Sequence, residues 1–253
     1  MIVCRAVGRV RIPNRTAALG VIAGTAIAAG AVFATPASAA TADEVGPPTQ
    51  ARAWTAEILY PVAARTGPSP RAHVKEQVLH YTAYSRRRQV LLVTGAYTEP
   101  GGRRWVRVEL PTRPNQNMAW IPEAAVRLST TGVRFHVSIA RRVLEVWRDG
   151  SLTRTIKVAV GAPSTPTSTG LFAVADPVRS SGHLGPDIIV LTAYSHVYHS
   201  FLGGPGVHAI HGWGDSSAFG HAVSNGCVRM SRSDVARLSA LAKPGVPVLI
   251  TKS

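Results

Sequence analysis

A mainly β chain in two successive parts, closed by one helix and a last strand, is what this 253-residue sequence predicts. Three observations predict it. Between Ala51 and Leu128, short apolar runs alternate with turn clusters, and no helical period interrupts them. From Gly132 the strand-like runs continue, two of them joined by Asp149-Gly150, a dipeptide suited to a tight hairpin turn. Only SRSDVARLSALA, residues 231–242, has a helical spacing, with Val235, Leu238 and Leu241–Ala242 on one face.

The elements follow in order. Arg5, Arg9, Arg11 and Arg15 precede an uncharged Ala/Gly-rich run from Thr16 to Ala34, and Ala37-Ser38-Ala39 has the small-x-small form of a leader cleavage site. Residues 1–40 therefore read as a secretory signal peptide. The competing reading is an uncleaved anchor, since the run is near the length of a membrane span. Residues 41–50, TADEVGPPTQ, form a short Pro-containing polar linker. Residues 51–130 hold EILYPVAAR, KEQVLHYTAY, RQVLLVTGAY, WVRVEL and MAWIP, separated by TGPSP, TEPGG and PTRPNQN. In Trp105–Leu110 the polar Arg107 and Glu109 alternate with apolar residues, as in a half-buried strand. With Trp105 opening one strand and Trp120-Ile121-Pro122 in another, this part resembles a bacterial SH3-like module, a small β-barrel. Trp105, Trp120 and most of its tyrosines read as core.

Residues 131–253 form the second part. FHVSIARRVLEVWRDGSLTRTIKVAVG (135–161) reads as a hairpin and a third strand, and Pro163, Pro166 and Gly170 mark a rigid loop before the next. IIVLTAYSHVY (188–198) and VHAIHG (207–212) are further strands. Ser231 and Asp234 have capping-box spacing for the helix, Lys243-Pro244-Gly245 ends it, and VPVLIT is the closing strand.

The formal charge is +15. Residues 1–40 hold four of the 28 Lys+Arg and no acid, leaving 24 against 13 Asp+Glu, a balance of +11. Such a surface attracts polyanions. Export takes the chain away from nucleic acid and leaves anionic wall polymer, or a membrane surface if the leader is uncleaved. Of the two cysteines, Cys4 lies in the leader, so an exported chain keeps Cys227 alone and forms no internal disulfide. Cys227 is then either an apolar filler or a working thiol.

Its surroundings favour the second. The stretch IHGWGDSSAFGHAVSNGCVRM, Ile210 to Met230, sets His211 sixteen positions before Cys227. Thiol acyl transfer needs a thiolate, a base that also serves as acid, and donors for the oxyanion. His211 ends an apolar strand, and Gly212 after it lets the chain turn and a substrate approach. Gly226 would keep backbone N–H groups near the sulfur accessible. Arg229 could hold a substrate carboxylate or favour the thiolate. Ser224 and Asn225 could support the histidine or the loop. His196-x-x-His199 and His208-x-x-His211 invite a metal reading, but no acidic residue completes a ligand motif and i, i+3 positions of a strand face opposite sides. No metal and no cofactor are expected. His183, His196, His199, His208 and His221 read as surface or loop residues, with His208 and His221 near enough to shape the pocket.

Ile210-His211-Gly212 and Ser224-Asn225-Gly226-Cys227-Val228-Arg229-Met230 resemble the catalytic motif of the YkuD-type L,D-transpeptidases, commonly HG, about fifteen residues, then S-H-G-C-[IV]-R. The likeness runs from Gly132 to Thr251. It departs at Asn225, where the family often has a second histidine, and at Ser168-Thr169 before Gly170. Papain-like and NlpC/P60-type peptidases place cysteine before histidine, and sortases separate the pair much further. The resemblance implies a β-sandwich catalytic domain with one or two short helices, with Cys227 as nucleophile and His211 as general base. It also implies peptidoglycan stem peptides as substrate, 3→3 cross-links formed through a thioester with release of D-Ala, and a place in the cell wall. An L,D-carboxypeptidase, a wall-protein attachment enzyme and a non-catalytic wall-binding protein are the alternatives; the oligomeric state is left open.

Overall fold

β-Branched and aromatic residues at alternating positions build seventeen strands among the described residues of this computed structural model, which are 45–182, 184–200 and 203–253. The leader at 1–40, the first four linker residues and His183 lie outside them. Among the described residues no helix is long and apolar enough to cross a membrane.

The first sheet contains β1 (Ala53–Ile58), β2 (Val62–Arg65), β3 (Val74–Val78), β4 (Val90–Thr98), β5 (Arg104–Glu109), β6 (Met118–Pro122) and β7 (Val126–Thr131), ordered β3-β2-β6-β5-β4-β1-β7. Every pairing in it is antiparallel. Ile58, Leu91, Val106 and Ile121 fill its core, and the linker's Val45 is buried with them. Trp105 is fully buried, its Nε1–H donating to Glu99, but Trp120 is half-buried and Tyr60, Tyr81, Tyr84 and Tyr97 are exposed rather than core.

The second sheet is built from β8 (Val133–Ser138), β9 (Val143–Arg148), β10 (Ser151–Lys157), β12 (Gly170–Arg179), β13 (Asp187–Tyr194), β14 (Val207–Trp213), β16 (Val228–Ser231) and β17 (Pro247–Thr251), ordered β10-β9-β8-β17-β12-β13-β14-β16. Two short strands, β11 (Val160–Gly161) and β15 (Ala222–Ser224), pair in parallel beside it. Asp149 and Gly150 both have positive φ, 50° and 83°, as a two-residue turn between β9 and β10 requires.

Helix α1 (Arg232–Ser239) is capped by Ser231, whose Oγ accepts the Asp234 N–H at 3.0 Å. It buries Val235 and Leu238 against a core that includes Phe135, Phe172, Ile189 and Ile210. Each such side chain contributes about 1.5–3 kcal/mol.

Two elements are shorter than the sequence pattern. β13 stops at Tyr194, because Ser195 Oγ accepts the N–H groups of Val197 and Tyr198 and turns the chain, so His196 and His199 sit in an exposed loop rather than on a strand. The helix ends at Ser239, and Ala242 is buried beyond it.

The two sheets are tied by buried contacts. Ala53 and Leu92 meet Ala173, Thr192 Oγ1 donates to Glu109 at 2.9 Å, and Asp176 accepts the N–H groups of Tyr84 and Ser85.

Candidate active site

The site is assembled by one parallel pairing. β14 and β16 run side by side with Ile210 opposite Val228 and His211 opposite Arg229. Cys227, immediately before β16, therefore falls beside Ala209, whose backbone hydrogen-bonds the sulfur. Ala209 and His211 point to the same face of β14. Cys227 and His211 are thus two positions apart along adjacent chain segments.

His211 is buried, and its Nδ1 lies 2.8 Å from the Gly212 carbonyl. A carbonyl only accepts, so Nδ1 carries a proton, and in a neutral ring Nε2 is the basic nitrogen. Part of Cys227 reaches the surface, yet protein encloses its thiol closely enough that burial pushes its pKa up, against the lowering effects of the Ala209 backbone and the Arg229 charge. Cys227 therefore rests as a neutral thiol, which would need a base to react as a nucleophile.

Arg229 lies over the face of Trp213, its Cζ 3.9 Å from the ring centre, and Trp213 stands edge-on to His211 with centroids 6.1 Å apart. The stack holds a half-buried cation beside the thiol and steadies the imidazole.

The nucleophile turn is fixed from below. Ser224 Oγ accepts the Gly226 N–H at 3.1 Å and donates to the Cys227 carbonyl at 2.6 Å. Thr165 Oγ1 donates to the Ser224 carbonyl and Thr167 Oγ1 to the Gly226 carbonyl, each at 2.8 Å. The Gly226 N–H is therefore committed to Ser224 and is no open donor for an oxyanion. What Gly226 supplies is conformation: its φ is +111°, and a Cβ there would lie 2.3 Å from His208 Cε1. Gly212 has a packing role too. β14 runs on through Trp213 without turning, and a Cβ at Gly212 would lie 2.8 Å from the Gly185 carbonyl and press on α1. Asn225 is exposed at the tip of the turn.

Sequence reasoning missed Trp213, Thr165, Thr167 and the buried place of His208, which is 2% exposed. The two threonines, either side of Pro166 in the loop read as rigid, were the available signal. For Trp213 and His208 the pairing of β14 with β16 was needed.

The chain is similar to several known proteins. The family model for the YkuD L,D-transpeptidase catalytic domain matches residues 132–250. A Bacillus licheniformis protein named as the L,D-transpeptidase YkuD is 31% identical over 122 residues, 48% of this chain and 67% of that protein. Its Bacillus subtilis namesake is 30% identical over 116 residues, 46% of this chain and 64% of its own. Among solved structures, L,D-transpeptidase 3 from Mycobacterium tuberculosis with a faropenem-derived adduct aligns over 68% of this chain and 92% of its own, at 16% identity and a TM-score of 0.44. On the family model and the Bacillus relatives, this chain belongs to the YkuD family of L,D-transpeptidases.

Proposed function

We propose that the chain is an exported peptidoglycan L,D-transpeptidase that forms 3→3 cross-links through a thioester on Cys227. The observation that supports this is the β14–β16 pairing, with His211 on β14, its Nδ1–H on the Gly212 carbonyl, and Cys227 leading into β16. His211 Nε2 takes the thiol proton as sulfur attacks the carbonyl of the third, diamino-acid residue of a tetrapeptide stem. The tetrahedral centre collapses to a thioester, and the proton passes to the departing amine of D-Ala. His211 then takes a proton from the side-chain amine of an acceptor stem as it attacks the thioester. The cross-link forms and the thiol is regenerated. The Gly212 carbonyl orients the ring and fixes its tautomer, which keeps Nε2 as the base in both half-reactions. Arg229 stabilises negative charge on sulfur and is available to a stem carboxylate.

The leader at 1–40 accounts for delivery to the wall, and the basic balance suits anionic wall polymer. The first sheet is read as an SH3-like unit that positions or binds the wall.

Incubating the purified protein with disaccharide-tetrapeptide and following products by mass spectrometry tests the reading. Loss of D-Ala with dimer formation is expected. Loss without dimers would make water the acceptor and the protein a carboxypeptidase. Full activity in Cys227→Ala would end the mechanism.

A further inference from the structure

Behind the nucleophile turn lies a buried side chain that the reaction above does not use. His208 on β14 is 2% exposed, and its Nε2 lies 3.3 Å from the Ser168 backbone N and 3.1 Å from Ser168 Oγ. An amide N–H only donates, so His208 Nε2 is an acceptor and the proton sits on Nδ1. Burial, and after it the neighbouring His196 and Arg113, hold the ring neutral by lowering its pKa to about 4.

The other side of this ring faces Gly226. His208 Cε1 and Nδ1 lie 2.3 and 2.8 Å from where a Cβ on Gly226 would be, so the imidazole fills the space that the missing side chain leaves. Ser168 is anchored in turn: its Oγ donates to the Tyr194 carbonyl at 2.8 Å. Tyr194 is gripped from the β5–β6 loop by Asn115, whose Oδ1 accepts the Tyr194 N–H at 2.7 Å and whose Nδ2 donates to its carbonyl at 2.9 Å. A continuous path thus runs from Asn115 through Tyr194, Ser168 and His208 to the residue before the nucleophile.

We infer that His208 is a positioning residue for Cys227: held by Ser168, its ring backs Gly226 and sets the turn that presents the thiol to His211. The inference deepens the transpeptidase reading by adding a residue outside the Cys227–His211 pair. A hydrophobic side chain of similar size would fill the space but could not accept the Ser168 N–H, so the ring would lose its fixed orientation.

Iodoacetamide alkylation of Cys227 reads the placement without any peptidoglycan substrate. It is run on the full chain at pH 7 and followed by mass spectrometry on the peptide containing Cys227, which separates it from Cys4. At that pH the thiol relies on His211, and displacing the turn weakens that contact. His208→Leu is expected to slow alkylation about tenfold. His208→Gln, which returns an acceptor within reach of the Ser168 N–H, is expected to recover to within about threefold of the parent. A His208→Leu protein that alkylates at the parental rate overturns the proposal. Where that variant does not fold, Ser168→Ala serves, with several-fold slower alkylation expected in protein that keeps its native circular dichroism; a parental rate there also overturns it. In the transfer assay His208→Leu should lower kcat at unchanged KM, and a raised KM alone would count against positioning. If the parent fails to turn over tetrapeptide while alkylation still depends on His208 as described, the substrate reading fails and the positioning role stands.

Discussion

Burial raises the Cys227 thiol above its ordinary pKa of 9.0, while the Ala209 backbone and the Arg229 charge pull the other way. The alkylation rate of Cys227 should therefore still be climbing at pH 9. Arg229→Gln removes a lowering influence, so the midpoint should move further up and the rate at pH 7 should fall. A pH–rate profile of the two proteins checks both, and a downward shift would contradict the assigned role of Arg229. At Gly226 the positive φ and the His208 ring both exclude a side chain. Gly226→Ala should cost about 1–3 kcal/mol of stability from backbone strain and at least about 100-fold in transfer rate from displacement of the turn, read by denaturant titration and product assay. At this scale Cys227 and His211 could be singled out as candidates because their spacing and flanking glycines are local features of the chain. His208 was not, since its isolation from solvent and its contact with Gly226 exist only once β14 lies beside the turn.

The elements were legible to different degrees. Helix α1 announced its start through Ser231 and Asp234, and the structure has that cap. Ser231→Ala should destabilise the protein by about 1 kcal/mol, measured as a shift in denaturant midpoint. α1 packs on β14 at Gly212, so a loosened cap should also lower transfer activity modestly. The Asp149-Gly150 hairpin was likewise encoded locally, in a dipeptide that tolerates positive φ at both positions. The end of β13 was not. IIVLTAYSHVY keeps an apolar character past Tyr194, but the Ser195 hydroxyl captures two following N–H groups and stops the strand. Periodicity does not register that competition between side chain and ladder.

Across the whole molecule, the two sheets share a buried acid. Glu109 on β5 is 1% exposed, accepts from Thr192 on β13 through Oε1, and is pushed up to about 8, by burial first, with the Thr192 hydrogen bond opposing. Its folded pKa lies above the unfolded value of 4.5, so between pH 4.5 and about 8 the native state holds a proton that the unfolded chain has lost. Stability should fall as pH rises through that window, by an amount on the order of 3 kcal/mol at pH 7. Glu109→Gln should flatten this slope and melt higher than the parent at pH 8. Melting curves from pH 5 to 8.5 decide it, and a parent whose stability rises over that range would refute the assignment. The chain by itself determined its strand-rich class and the helix with its cap, because each is written in residues close together in sequence. Only the tertiary structure decided that β17 enters the middle of the second sheet between β8 and β12, that Asn115 of the β5–β6 loop grips Tyr194 of β13, and that His208 stands behind Gly226. Those contacts join residues tens of positions apart, and only burial and hydrogen-bond satisfaction in the folded state select them.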